Sequence, residues 1–387
     1  MNIAFDAKRA FTNGTGLGHY SRTLVTSLAG YYPEHEYFLF TPKITGRFNT
    51  NALHNVHVAT PYRFPGTLLK SVWRSKWVVK DLQHLNINVY HGLSHEIPVG
   101  ISNTNIKTAV TIHDLIFERY PRQYNPVDVA IYRKKFTYAC KHANRVIAIS
   151  NQTKEDIIEF YKIPGHKIDV CYQSCNPAFS VPVTAEEKQR IKALYNLPDE
   201  YFLYVGSVIE RKNLLTICKA LKLLQGIVAI PLVVIGDGGK YMQLVKTYIT
   251  ENGLQQQVIF LSEIEQVKQL ASYRSAADFP AIYQQALYMI YPSIFEGFGI
   301  PVLEALCSSL PVITSNVSCL PEAGGPGSMY VSPLNVQQMA DAMHEVATNT
   351  ALRKNMSEKG LLHAQQFTPR KCAETVMQVY KKITQHG

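Results

Sequence analysis

The 387-residue chain has no C-x-x-C pair among its seven cysteines, Cys140, Cys171, Cys175, Cys218, Cys307, Cys319 and Cys372. Their odd number and scattered spacing exclude a disulfide framework and the common zinc-ligand patterns, and imply reduced, mostly buried thiols. No apolar run is long enough to span a bilayer, which excludes a transmembrane helix on hydropathy. Low-complexity tracts and internal repeats are also missing, which excludes solenoids and disordered tails. The first residues, Met-Asn-Ile-Ala-Phe-Asp, read as a strand without the charged start and cleavage site of a secretory signal, so the expected location is the cytoplasm. Acidic residues are the scarcer charge, 29 against 39 Lys and Arg. A net charge of +10 suits phosphorylated ligands, anionic lipid or nucleic acid, and by itself does not choose among them.

What is present is strand and helix in alternation, twice over. The first half offers strands at Asn2–Asp6, Tyr37–Phe40, Val56–Ala59, Val89–His91, Thr108–His113, Val146–Ser150 and Ile168–Tyr172, with helix-like stretches between them. A second series runs through Tyr201–Gly206, Leu232–Gly236, Val258–Leu261, Leu287–Tyr291, Pro311–Ser315 and Met329–Val331. The length suits two cores, and this pattern predicts two doubly wound, Rossmann-like α/β domains. We expect a first domain over 1–180, a second over 181–368 and a closing helix over 369–387. Ligands of such sheets bind beyond the carboxyl ends of the strands.

Each chemistry-bearing motif follows a strand. Gly14-Thr15-Gly16-Leu17-Gly18-His19-Tyr20 opens a helix whose buried stripe is Leu17, Tyr20, Leu24 and Leu28, and its amides can approach phosphate closely. His19 stands where a dinucleotide fingerprint needs a third glycine, so a nicotinamide site is a weak fit. His113 projects from a strand end beside Asp114, which can orient its ring. Gly206-Ser207-Val208-Ile209-Glu210-Arg211-Lys212-Asn213 places two cations at a helix start, where the dipole disfavours solvated positive charge. Gly236-Asp237-Gly238-Gly239 is a further glycine turn. Between Ile294 and Leu306, Phe-Glu-Gly-Phe-Gly-Ile-Pro-Val-Leu-Glu-Ala brackets a glycine turn with Glu296 and Glu304. Pro301 suits the first helical residue, and Glu304 is then expected in the first turn, kept ionised by the dipole. A plain strand-to-helix junction with solvated glutamates accounts for Glu304 but not for the whole string.

Taken together, Glu-Gly-Phe-Gly-Ile-Pro-Val-Leu-Glu-Ala-Leu closely resembles the carboxylate signature of the family 4 retaining glycosyltransferases, and the other motifs follow in family order over essentially the whole chain. The resemblance implies the GT-B fold, two Rossmann-like domains facing across a cleft. It implies that Arg211 and Lys212 hold the phosphates of a nucleoside diphosphate sugar, that Glu304 takes the ribose diol, and that Glu296 takes a donor-sugar hydroxyl. Gly16, Gly18, Ser207 and the amides of Gly297, Phe298, Gly299 and Ile300 complete the donor site, and His113 lies beside the donor sugar. The chain contains no Asp-x-Asp pair, so no cofactor and no metal is expected, and protein cations would stabilise the departing diphosphate. His19 departs from the arginine usual after the glycine loop, and Ser308-Ser309 from the usual glycine before the next strand.

The expected activity is retaining transfer of a hexose, mannose first, to a polysaccharide or lipid-linked glycan. The rivals are a sugar-nucleotide epimerase or hydrolase on the same scaffold, or a non-catalytic partner subunit. Trp73 and Trp77, a helical turn apart among Lys70, Arg74, Lys76 and Lys80, are open to two readings, an anionic-lipid contact on the inner face of the membrane or a helix packed into the first domain.

Overall fold

The computed structural model describes residues 1–62 and 66–385. It divides into two compact units, one formed by Met1–Ser174 together with the segment from Phe367 onward, the other by Cys175–Gln366. The first boundary falls six residues earlier than the expected 180. Pro177–Ser180 goes with the second unit because the Phe179 ring packs on Tyr283 at 4.9 Å and its carbonyl accepts from Ser308 Oγ at 3.2 Å.

Among the described residues, seven strands build the first unit: β1 (Asn2–Asp6), β2 (Glu36–Phe40), β3 (Val56–Ala59), β4 (Val89–Gly92), β5 (Lys107–Ile112), β6 (Arg145–Ala148) and β7 (Ile168–Val170). All pairings are parallel, in the order β3-β2-β1-β4-β5-β6-β7. Both faces of the sheet are covered, so alternate residues enter different cores. Ile3, Phe5, Val89 and Ala109 pack on one side, while Ala4, Tyr90 and Val110 pack on the other. This is why parallel strands read as continuous apolar runs instead of alternating ones.

The helix Pro369–Gln385 belongs to this unit. Its Cys372, Ala373, Val376, Met377, Tyr380 and Ile383 recur at helical spacing and join the core that holds β1 and the helix Gly16–Tyr31. Of the closing helix expected over 369–387, residues 386 and 387 lie outside the described residues.

The second unit repeats the design with β8 (Phe202–Val205), β9 (Leu232–Ile235), β10 (Val258–Phe260), β11 (Tyr288–Tyr291), β12 (Val312–Ser315) and β13 (Ser328–Val331), parallel in the order β10-β9-β8-β11-β12-β13. In each sheet the strand order reverses once, between β1 and β4 and between β8 and β11, and that reversal is the topological switch point where doubly wound sheets hold ligands. Gly236, which follows β9, must be glycine because it presses on the loop after β8. With φ +157°, a Cβ there would stand 1.9 Å from the Gly206 carbonyl oxygen. Ser309, where the sequence departs from glycine, is held at φ +58°.

In the tryptophan segment Trp73 packs into the first unit. Lys70–Val72 leads into a π-helical turn, Trp73–Trp77, and then the helix Val78–His84. Trp73 is buried against Phe40 and donates from Nε1 to Asp81 at 2.7 Å. Arg74 is not a solvated cation. Its Nε bonds both oxygens of buried Asp6 at 3.0 Å, and its Nη1 reaches Glu96 at 3.1 Å. Burial opposes its charge, and the Asp6 carboxylate outweighs that. Removing one partner of a buried pair strands the other, so Arg74→Ala should cost about 3–5 kcal/mol in urea unfolding, while exposed Lys76→Ala should stay within about 0.5 kcal/mol.

Candidate active site

The Arg211–Lys212 motif sits in a short 3-10 turn, Glu210–Lys212, between β8 and the helix Leu214–Leu223. The Glu296 motif follows β11, the neighbouring strand, so the two loops emerge side by side at the switch point. Hydrogen bonds lock them: Ile294 N donates to Arg211 O at 2.8 Å, and Asn213 Nδ2 donates to Pro292 O at 3.2 Å and, beyond β13, to Pro333 O at 2.6 Å. Asn213 can do this because it adopts the left-handed conformation, φ +58°, which asparagine tolerates better than most residues.

The consequence is a buried ionic cluster. Glu296 Oε1 lies 3.0 Å from Arg211 Nη1, 2.6 Å from Lys212 Nζ and 3.2 Å from the Tyr291 hydroxyl. Lys212 Nζ also bonds the Tyr291 hydroxyl and stands 4.7 Å from the centre of that ring. Burial would push the Glu296 carboxyl up, but the Lys212 and Arg211 charges win and hold it below its ordinary value. Burial also pulls the Lys212 ammonium down, opposed by the same carboxylate. Two cations against one carboxylate leave a net positive, preorganised group, suited to the charge that develops on a departing diphosphate. Glu296 is itself gripped, its N–H donating to Ser318 Oγ at 3.0 Å and its carbonyl accepting from Cys319 Sγ at 3.1 Å.

Gly299, at φ +106°, turns the chain into the helix Ile300–Cys307, with Pro301 as its second residue. A side chain on Gly299 would meet Leu320 at 3.0 Å. Glu304 is therefore the fifth helical residue, one residue deeper than expected and just past the first turn, where the helix dipole has faded. Its environment reverses the expectation of a permanently ionised group. Burial raises the carboxyl to about 8, and the Tyr283 hydroxyl, donating to Oε2 at 3.0 Å, only partly offsets this. Gly297, Phe298 and Ile300 line the same turn, with Phe298 buried. Ser207, two residues past β8, is exposed with its carbonyl accepting from Tyr204 Oη at 3.2 Å.

In the first unit, His113 follows β5 and is buried. Its Nε2 donates to Leu93 O at 2.9 Å, and its Nδ1 accepts from Gln173 Nε2 at 2.8 Å. Asp114, the expected orienting residue, instead accepts from Ile116 N at 3.1 Å. Burial lowers His113 to about 4, so its ring is neutral near pH 7 and serves as a fixed dipole with both nitrogens engaged. The Tyr20 ring meets it edge-on at 4.7 Å. Tyr20 is in turn the end of a buried relay, Tyr380 Oη to His91 Nδ1 at 2.6 Å, His91 Nε2 to Thr111 Oγ1 at 2.7 Å and Thr111 Oγ1 to Tyr20 Oη at 3.1 Å.

The glycine loop begins the helix Gly16–Tyr31. Gly18 is required because a Cβ would stand 2.0 Å from the Asn13 carbonyl oxygen, whereas one on Gly16 would meet nothing within 4 Å. Asn13 Oδ1 accepts from Thr15 N at 2.7 Å and Gly18 N at 3.3 Å, shaping the loop from within. Tyr291, Ser318, Cys319, Gln173 and Asn13 carry no motif, and only the fold brings them to these places.

The second unit thus gathers Arg211, Lys212 and Glu296 at a strand-order reversal beside a helix start, an arrangement that can bind an anion, and the comparisons give the class of the chain, a glycosyltransferase. The model for glycosyl transferases group 1 matches residues 185–363, and that for glycosyltransferase family 4 matches residues 14–179. The chain belongs to the family 4 glycosyltransferases with the GT-B fold. It is 25% identical to the O-antigen chain mannosyltransferase B of Escherichia coli over 99% of this chain and 100% of that one. It is 26% identical to the O-antigen chain mannosyltransferase RfbU of Salmonella typhimurium over 64% of this chain and 65% of that one. Among solved structures, a glycosyltransferase from Rickettsia africae superposes with a TM-score of 0.75 at 18% identity, covering 100% and 99% of the two chains. Anabaena HepE in complex with UDP-glucose gives 0.74 at 16% identity, covering 99% and 100%.

The Glu304 carboxyl yields a test free of ligand. Between its ordinary value of 4.5 and about 8 the folded form stays protonated while the unfolded form ionises, so stability must fall as pH rises through that window and level off above it. Glu304→Gln should remove roughly 1–3 kcal/mol of that decline, read as urea midpoints between about pH 5 and about pH 8.5.

Proposed function

We propose that this glycosyltransferase transfers mannose with retention from a nucleoside diphosphate sugar, GDP-mannose first, to a polysaccharide or lipid-linked glycan. The observation that carries the reading is the Arg211–Lys212–Glu296 cluster, whose net positive charge is fixed before substrate arrives. Glycosyl transfer builds negative charge on the leaving diphosphate, and fixed cations stabilise that charge without reorganising. In this reading Glu304, the fifth residue of the neighbouring helix, takes the ribose diol, and Glu296 takes a sugar hydroxyl. The mannosyltransferase names of two relatives support the sugar, and their O-antigen chains support the acceptor class. The complex of HepE with UDP-glucose supports a nucleotide sugar as donor.

In this reading the leaving phosphate oxygen takes the acceptor proton. His113, neutral and doubly bonded, is a poor general base and acts instead as a rigid wall with a directed dipole. No metal is needed, because Arg211 and Lys212 take that role.

Purified protein incubated with a panel of nucleotide sugars, with and without lipid extract, should consume GDP-mannose, in chelator as well as without it, and place the sugar on the extract. Release of free or isomerised sugar with no acceptor dependence would instead indicate a hydrolase or epimerase, and no turnover at all a non-catalytic subunit. Arg211→Ala and Lys212→Ala should each lower kcat/KM by roughly 30- to 1,000-fold, about 2–4 kcal/mol of transition-state stabilisation. Normal turnover by both would refute the phosphate assignment.

The same reading places the enzyme in the cytoplasm, peripheral on the inner face of the membrane. No helix among the described residues is long and apolar enough to cross a bilayer. Leu68, Leu69 and Val72 are exposed, 75%, 50% and 38%, beside exposed Lys70, Lys76 and Lys80. Leu side chains entering the interface with lysines on anionic headgroups would give reversible binding. Co-sedimentation with phosphatidylglycerol vesicles should fall at least about fivefold in Leu68→Ser/Leu69→Ser, with Arg74 left in place. Unchanged sedimentation would dispose of the contact.

A further inference from the structure

The chain's positive charge is concentrated. Residues 7–80 contain ten Lys and Arg against two acids, Glu34 and Glu36, so a fifth of the sequence supplies eight of the ten formal net charges. Part of this excess gathers at the switch point of the first sheet. β1 and β4 pair with Phe5 opposite His91, which sets Lys8 and Ser94 at the same level, three residues beyond that pair. Lys8 and Arg9 open the short helix Lys8–Thr12. Asp6 and Glu96, the carboxylates near them, are held by Arg74 at 3.0 and 3.1 Å. Among the described residues, neither Lys8 nor Arg9 has an ion-pair partner. The Arg9 charge is felt by the rings of His95 and His113, which follow β4 and β5. Ser94, only 5% exposed, has a buried hydroxyl without a hydrogen-bond partner.

A further cation comes from the stretch after β2. The Thr45 hydroxyl bonds the Phe11 carbonyl, and the Phe48 ring packs on Phe11 at 5.6 Å. This straps Arg47 over the glycine loop so closely that a Cβ on Gly14 would lie 2.7 Å from its Nη1. Arg47 too has no ion-pair partner among the described residues, and its charge depresses that of neighbouring Arg22. Cations without ion-pair partners on one short helix and on the segment strapped to that helix, with an orphaned buried hydroxyl after the neighbouring strand, are what an anion-binding site requires.

We propose that this edge of the first unit is a second anion subsite, built by Lys8, Arg9, Arg47 and Ser94, that takes a phosphate ester or diphosphate carried by the acceptor. The inference rests on the glycosyltransferase reading and narrows it. The donor's diphosphate is already matched by Arg211 and Lys212 in the second unit. A separate set of cations serves a separate phosphate, so the acceptor is a phosphate-bearing glycan carrier and not a neutral chain end.

The test is calorimetric titration of the whole chain with inorganic pyrophosphate while the donor site is kept saturated with a nucleoside diphosphate. A saturable pyrophosphate site should remain, weaken at least about tenfold in Arg9→Gln and in Arg47→Gln, recover largely in Arg9→Lys, and weaken further with salt. The nucleoside diphosphate affinity of those variants should stay within about twofold of the parent, while Arg211→Ala should show the reverse pattern. Thermal melts confirm that each variant is folded. Loss of all pyrophosphate binding on saturation, or binding indifferent to both substitutions, would overturn the subsite. If Arg9→Gln and Arg47→Gln weaken the nucleotide instead, the cations belong to the donor and the acceptor assignment is wrong. Failure to consume any donor in the panel would strike the proposed reaction alone, since pyrophosphate binding does not depend on it.

Discussion

Glu296 shares one carboxylate oxygen with Arg211, Lys212 and Tyr291, and the rest of the second unit is arranged so that this can happen out of water. Bringing three ionised groups under cover is costly, and each alone would neutralise or unfold its loop. The cost is offset because β8 and β11 are neighbours, so the loops that follow them are held at bonding distance by Asn213 and by the Ile294 amide. Strand order thus precedes chemistry here. A sheet with β8 and β11 apart would leave two cations in one loop and a glutamate in another.

The same economy of position recurs in the first unit with a different result. There the buried charge, Asp6 with Arg74, lies at the end of β1 and locks the tryptophan turn onto the sheet. That pairing engages the neighbouring carboxylate, and Lys8 and Arg9 have no ion-pair partner among the described residues. His113 shows a third solution. Buried without a counter-charge, it is neutral and meets its hydrogen-bonding needs through Leu93 and Gln173. The relay from Tyr380 through His91 and Thr111 to Tyr20 ties the chain's final helix to the same residue, so the wall beside His113 depends on a segment more than 250 residues away.

Much of this was legible in the sequence, and for identifiable reasons. Parallel strands covered on both faces are continuous apolar runs, so Leu232–Ile235 or Tyr288–Tyr291 announce themselves, and all thirteen strands lie within two residues of where periodicity put them. Glycines at forced approaches are equally visible, Gly18 and Gly236 being places where a Cβ would strike a carbonyl oxygen. What misled was counting without depth. Glu304 lies one residue further into its helix than Pro301 suggested, because Ile300 already has helical geometry, and that residue moves it out of the first turn. Arg74 read as one of four surface cations, since spacing cannot reveal that Asp6 waits 68 positions earlier.

By itself, then, the sequence determined two doubly wound sheets, the positions of their strands along the chain and the loops that carry reactive groups, because these follow from local periodicity and backbone sterics. Only the tertiary structure decided the protonation of Glu304 and His113, the partners of Glu296, and which cations remain unpaired. Those properties are set by burial and by charges distant along the chain, and neither is encoded in any local stretch of residues.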